Sequence, residues 1–443
     1  MMSYTKEDIL RLAEEDDVEF IRMQFTDIFG QLKNVAITRP QLEKAVNNRI
    51  EIDGSSIAGF ARQYESDQLL YPDLDTYSLL PWRPQHGKVA RLICDVHSVN
   101  GEPFEGDPRL VLKRQLKRAA ELGYTFKASP ECEFFLFETD ENGRPTTRTG
   151  DEAGYFDMAP LDHGSNTRRE ICLSLEKMGF EVEASHHEVA GGQHEIDFHY
   201  TDALRTADNI MTFRLAVKSI AQKNGLHATF MPKPLYGVNG SGMHTNFSLF
   251  KDGKNSFYDE NDSLQLSKEA YSFMAGIIKH ARGIAAVTNP LVNSYKRLIP
   301  GYEAPCYLGW SASNRSTLLR VPAYRGENTW IEFRSPDPSC NPYLALAVCI
   351  AAGLDGIKNN LEAPEETKTN IYEMSLKELI ASGVETLPSS LDDALREMEA
   401  DPLVAETLGE HVYKKYLAGK WKEWEEYSSQ VSKWELDRYM INY

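Results

Sequence analysis

SPECEFFLF, residues 129–137, sends Glu131 and Glu133 to one side of a strand and Cys132, Phe134 and Leu136 to the other. Three further segments repeat the pattern. GGQHEIDFHY (191–200) sets Glu195 and Asp197 against Ile196 and Phe198. NGSGMHTNFSLF (239–250) sets His244, Asn246 and Ser248 against Met243, Phe247 and Leu249. WIEFR (330–334) sets Glu332 and Arg334 against Ile331 and Phe333. One such segment alone is an ordinary amphipathic strand with a wet face. Four of them, with no Lys on any polar face and Glu, Asp, His and Arg collected there, predict a sheet that floors a metal-and-phosphate site.

Glu131, Glu133, Glu188, Glu195 and Glu332 with His244 make a set of hard oxygens and a single imidazole. That set suits magnesium or manganese and not a sulfur-ligated zinc. Clustered carboxylates repel one another unless cations are present, so the metals would be structural as well as catalytic. The HHE of SHHEVAGGQHE hints at a zinc hydrolase, but HExxH is absent. Arg297, Arg315, Arg320, Arg325 and Arg334 fall within 38 residues beside Gly and Pro turns, a concentration that suits bidentate gripping of phosphate and carboxylate. No GxxxxGK[ST] occurs, which excludes a P-loop. The glycines of NGSGMH are in the wrong order for a dinucleotide fingerprint; they either let backbone approach a ligand or form a turn.

The chain has 443 residues, 48 basic and 66 acidic, for a formal charge of −18. Such a balance argues against a general nucleic-acid or acidic-membrane surface. The longest apolar run, Tyr343 to Leu354, is too short to span a bilayer. The charged, periodic start MMSYTKEDILRL is expected to be neither a signal nor a transit peptide, and six cysteines without a CxxC pair point to a cytoplasmic protein of a reducing compartment. A helix over 4–16 and strands at 20–25 and 89–96 predict a small α+β unit before the Gly- and Pro-rich NGEPFEGDPR (100–109), where the domain boundary is expected. A helix over 109–122 opens the larger part, and the charged tail from Pro388 is predicted helical, with Trp421, Trp424 and Trp434 as packing anchors.

DGSSIAGF (53–60), PECEFF (130–135), HHEVAGGQHEIDF (186–198), KPLYGVNGSGMH (233–244), NSYKRLIPGYEAP (293–305), NRS (314–316) and EFRSPDPSCNPY (332–343) together resemble the bacterial type I glutamine synthetase family over essentially the whole chain. The shorter, non-adenylylated alpha subgroup of Gram-positive bacteria is the closer likeness, so Tyr372 is expected to be unmodified. The resemblance implies an α+β fold: an N-terminal β-grasp domain (1–103) and a catalytic domain (104–443) with a curved antiparallel sheet, surrounding helices and a helical tail. It implies a homododecamer of two stacked hexameric rings with active sites between subunits. It also implies that Glu133, Glu188 and Glu195 hold a first metal, and Glu131, His244 and Glu332 a second. Asn239, Gly240, Arg297, Glu303 and Arg334 match glutamate-contacting positions. Glu183, Asn246, Ser248 and Arg315 match nucleotide contacts, with Arg320 assisting. Asp53 and Ser56 from a neighbouring subunit, with Tyr155 and Glu188, match the ammonium site.

The activity so implied is ATP-dependent ligation of ammonia to L-glutamate through a γ-glutamyl phosphate, with Mg2+ or Mn2+, two or more per site, and ATP as co-substrate. Asp53 is the expected base, Arg334 the oxyanion stabiliser, and Glu303 sits on a lid. Arg62 matches a position linked to glutamine feedback inhibition, and nitrogen-response transcription regulators are expected partners; nucleic acid and membrane are not. Trp330 departs from the family, which usually places a basic residue there, so Arg315 and Arg320 are expected to take the phosphate role. Two rivals share the scaffold: a γ-glutamyl-polyamine ligase, against which the intact DGSS argues, and a catalytically inactive nitrogen-sensing binding protein, against which the full metal set argues.

Overall fold

The computed structural model describes residues 3–60, 67–315, 317–368 and 385–443. Arg62 and Tyr372 lie outside the described residues. Thr5 and Asp8 form a capping box that starts helix α1 (Lys6–Glu15), which buries Ile9 and Ala13 against the first sheet. That sheet contains β1 (Val18–Thr26), β2 (Leu32–Thr38), β3 (Ile50–Asp53), β4 (Asp67–Leu79) and β5 (Lys88–Ser98) in the order β2-β1-β5-β4-β3. The β1–β5 pair is parallel and the other pairs are antiparallel.

The four alternating segments are strands of a second, 11-stranded sheet. Its path runs from β14 (Tyr307–Ser311) through β15 (Thr317–Arg320), β16 (Ile331–Phe333), β12 (Met243–Lys251), β6 (Thr125–Thr139) and β9 (Gln193–Phe198) to β8 (Val182–His187), while β7 (Pro145–Thr149), β10 (Thr201–Asp202) and β11 (Leu226–Thr229) pair with β6 and β13 (Lys254–Asn255) with β12. Of these pairs only β14–β15 is parallel. One face is largely apolar: Phe134, Ile196, Phe198 and Met243 pack with Ile210, Phe213 and Val217 of the helix Ala203–Lys223. Burial of that face leaves the other for polar chemistry, because a strand cannot move one side chain without moving the whole set.

The two sheets are joined by charge as well as by chain. Asp107 caps the helix Pro108–Glu121 and also accepts the Val96 backbone N–H at 3.0 Å. The next side chain but one, Arg109, is buried and meets Asp73 at 2.6 Å, Asp95 at 2.8 Å and Asp208 at 2.9 Å. The first two carboxylates belong to the first sheet and the third to the helix Ala203–Lys223 beneath the second. Farther along, His280 bridges Asp355 at 3.0 Å and Asp401 at 2.7 Å, tying its helix (Lys268–Thr288) to the helix Pro342–Lys358 and to the cap of the helix at Pro402. Trp421 and Trp424 pack against the main core as expected, but Trp434 is 61% exposed and does not anchor the chain's own core. All six cysteines are thiols. Among the described residues no helix is long and apolar enough to cross a membrane.

Candidate active site

Strand register assembles the site. Glu131 of β6 lies opposite His244 of β12, and Glu133 lies opposite Glu195 of β9, which in turn faces His186 of β8. His244 Nδ1 donates to Glu131 at 3.2 Å, and Asn246 donates its amide to the same carboxylate at 2.9 Å. Ligand atoms of Glu131, His244 and Glu332 lie within 4.8 Å of one another, as do those of His186, Glu188 and Glu195. Glu133 accepts from Gln193 at 2.8 Å and from the Gly242 N–H at 3.0 Å. Of these groups, Glu131, Glu133, Glu188, Gln193, Glu195, Gly242 and His244 line a cavity of about 300 Å³ whose walls also include Tyr155, Asn239, Arg297, Glu303 and Arg315.

The cavity carries more negative charge than it can hold alone. Burial, then the neighbouring Glu188, pushes Glu133 up to about 8. Burial raises Glu188 to about 7, and burial with Asp197 raises Glu195 well above the carboxylate range. His244 is pushed down by burial and Arg334, so its ring is neutral at pH 7 and free to offer a lone pair. Hard carboxylate oxygens with one neutral imidazole fit a divalent cation of the magnesium or manganese type. Opposite stand the arginines. Arg334 meets Glu332 at 2.6 Å and Arg320 meets its other oxygen at 2.8 Å. Arg297 is buried and donates to the Ser335 and Arg334 carbonyls at 2.8 and 3.1 Å. Gly240 is required here, since a Cβ would fall 2.3 Å from the Pro232 carbonyl. Across the mouth, Asn239 donates to Glu303 at 3.0 Å, and Glu303 has a left-handed backbone, φ +55°.

Glu131 and Arg320 also line a second cavity of about 410 Å³. Its walls include Ser129, Glu183, His199, Tyr200, Asn246, Tyr324 and Trp330. Trp330 packs edge-on against Tyr200, with ring centres 4.7 Å apart, and Glu183 accepts from His199 at 2.6 Å. An aromatic chamber therefore opens into a chamber of carboxylates and arginines.

The sequence matches the family described as "Glutamine synthetase, catalytic domain" over residues 105–439 and "Glutamine synthetase, beta-Grasp domain" over residues 17–99. It is 63% identical to the glutamine synthetase of Clostridium saccharobutylicum over 443 residues, covering 100% of both chains. The chain belongs to the glutamine synthetase family. A glutamine synthetase of Staphylococcus aureus is 58% identical, with 100% of this chain and 99% of that enzyme covered. Among solved structures, a GmaS–ADP complex superposes with a TM-score of 0.89 at 34% identity, covering 98% of this chain and 99% of that one. The Plasmodium falciparum glutamine synthetase superposes with a TM-score of 0.87 at 26% identity, covering 99% of each chain.

Within this glutamine synthetase fold, not every expected residue reaches the cavities. Asp53 caps a short turn, accepting from the Ser55 N–H at 2.8 Å; neither it nor Ser56 lines the carboxylate cavity of its own chain. Ser248 is fully buried, donating to the Thr329 carbonyl at 3.1 Å and accepting from Asn255 at 3.0 Å, and it lines neither cavity. Arg325 is spent on the carbonyls of Leu264, Pro322 and Tyr324, which removes it from the gripping arginines. Two participants were missed. Gln193 bonds Glu133 and the Gly240 carbonyl, the latter at 3.1 Å, and alternation with Glu195 was its signal. His186 meets Glu195 at 3.2 Å and Glu188 at 3.5 Å, and only the strand register shows that.

Proposed function

We propose that this enzyme catalyses ATP + L-glutamate + ammonia → L-glutamine + ADP + phosphate, with an acyl phosphate between two displacements. The observation that carries the reading is the junction at Glu131 and Arg320 of an aromatic chamber with a carboxylate-and-arginine chamber. ATP lies with its base beside Tyr200 and Trp330, near Glu183 and Asn246, and its phosphates toward Arg315 and Arg320. Glutamate is gripped by Arg297 and Arg334, with Asn239 and Gly240 close by. Glu133, Glu188 and Glu195 hold one divalent cation, and Glu131, His244 and Glu332 a second; when bound they neutralise phosphoryl charge.

A γ-carboxylate oxygen attacks the γ-phosphorus and ADP departs. Ammonia then attacks the acyl carbon and phosphate departs. Ammonium gives its proton to Asp53, supplied with Ser56 by a neighbouring subunit across from Tyr155 and Glu188. Arg334 stabilises the tetrahedral oxyanion, and Glu303, latched to Asn239, excludes water from the acyl phosphate. The reading includes Mg2+ or Mn2+ as the metal, domains at 1–103 and 104–443, a homododecamer, glutamine feedback through Arg62, regulatory protein partners and a cytoplasmic location.

The test is phosphate release from ATP with Mg2+ and glutamate, run with ammonium, with spermidine and with neither. Ammonium-dependent release with glutamine formation supports the reading; release with spermidine alone, or silence throughout, overturns it.

A further inference from the structure

Glu188 sits where strand β8 ends and a small-residue tip, Ala190-Gly191-Gly192, begins; its N–H donates to the Gln193 carbonyl at 2.8 Å and its own carboxylate accepts the Val189 N–H at 3.1 Å. Behind it lies a buried polar group that the reaction does not touch. His187 and His194 face each other on the reverse of the β8–β9 pair, away from His186 and Glu195. Both rings are fully buried. His187 Nδ1 donates to the Glu188 carbonyl at 2.6 Å, and Nε2 donates to Asp151 at 3.1 Å. The same Asp151 oxygen accepts the Gly192 N–H at 2.9 Å, and its other oxygen accepts the His163 N–H at 3.0 Å. One carboxylate thus holds both arms of the hairpin tip and the loop that leads to Tyr155. The Phe156 N–H closes the ring on the His187 carbonyl at 3.1 Å.

Asp162, His187 and His194 themselves stand at ligand spacing, within 4.8 Å. They are not a third metal site. The Arg168 guanidinium already meets Asp162 at 2.9 Å and His194 Nδ1 at 2.8 Å, so a fixed cation fills that place. Gly164 presses on the other side of His194, where a Cβ would lie 2.4 Å from Nε2.

We propose that Asp151, acting through His187, is a positioning residue that sets the carboxylate of Glu188 for the divalent cation and keeps the Tyr155 loop in register with it. The proposal rests on the assignment of Glu188 as a metal ligand. Outer residues that orient ligands typically change metal affinity about 10- to 100-fold when lost.

The experiment is Mn2+ titration of the full-length enzyme by calorimetry for the parent, Asp151→Asn, His187→Gln and the double variant, with Michaelis constants for ATP and glutamate alongside. Asp151→Asn and His187→Gln are each expected to weaken Mn2+ binding about tenfold or more, the double variant no further than the weaker single, with the ATP Michaelis constant unmoved. Should Asp151→Asn not fold, His187→Gln carries the same expectation. Parental Mn2+ affinity in either folded variant, or additive losses in the double, overturns the positioning role. A parent that binds no Mn2+ overturns the metal assignment itself, and the proposal with it.

Discussion

Arg320 lies opposite Glu332 in the β15–β16 ladder and meets its carboxylate at 2.8 Å, where the two cavities join. The arginine therefore occupies charge that a cation beside His244 also uses, and it is placed to turn toward a phosphate. Arg320→Ala is expected to lower kcat/KM for ATP by about 100-fold, the scale for losing one charge-stabilising donor. Mn2+ binding should be no weaker, because a competing cation has gone. Steady-state kinetics with a parallel Mn2+ titration check both; weaker Mn2+ binding would show that Arg320 supports the metal instead.

Glu133, Glu188 and Glu195 are all raised by burial, so they retain protons near pH 7 that a divalent cation has to displace. Metal addition at pH 7 is expected to release protons, and apparent affinity should rise between pH 6 and 8. Calorimetry in buffers of differing ionisation enthalpy measures the count; zero release would mean the carboxylates are ionised before metal arrives.

Trp330 lines the second cavity edge-on to Tyr200. Trp330→Ala is expected to raise the ATP Michaelis constant roughly three- to tenfold, the worth of one aromatic contact, and to leave that for glutamate alone. If Trp330→Arg also leaves the ATP constant unchanged, the residue has no nucleotide role.

His280 is lowered by burial but raised more by Asp401 and Asp355, so its pKa is higher folded than unfolded. Its contribution is full below the unfolded value of about 6.5 and fades as pH rises through the folded value. His280→Gln should cost about 1.5–3 kcal/mol at pH 6 and less at pH 9. Urea midpoints at the two pH values give the comparison, and an equal loss at both would rule out the charge.

Asp53 does not line the cavity that Glu188 lines in the same chain. If one copy supplies Asp53 to another, Asp53→Ala and Glu188→Ala chains, each inactive, should regain activity when co-assembled. Random mixing leaves both halves intact at roughly a quarter of sites. No recovery in verified mixed assemblies would place the whole site in one chain.

The alternation of four segments made the polar floor legible, because period two leaves a strand only two faces and the apolar set decides which is buried. Glu131, Glu133, Glu195 and His244 could be read that way. Ser248 follows the same alternation yet is covered by Asn255 and Thr329, since alternation gives the face and not what lies over it. Arg325 shows the matching limit for loops: its charge is visible in sequence, while the three carbonyls that occupy it are not. Asp151 lay beyond reach because its partners stand 36 and 41 residues away, brought together only by strand pairing.

Arg109, with two of its carboxylates in one sheet's domain and one in the other, bears on heredity as much as on stability. Exchanging the first domain for a foreign one would leave the buried Arg109 guanidinium short of two partners, at about 3–5 kcal/mol for a broken buried pair, and exchanging the second would leave the half-buried Asp73 and Asp95 without it. Recombination between the two sheets is thus penalised unless Asp73, Asp95 and Arg109 are inherited together.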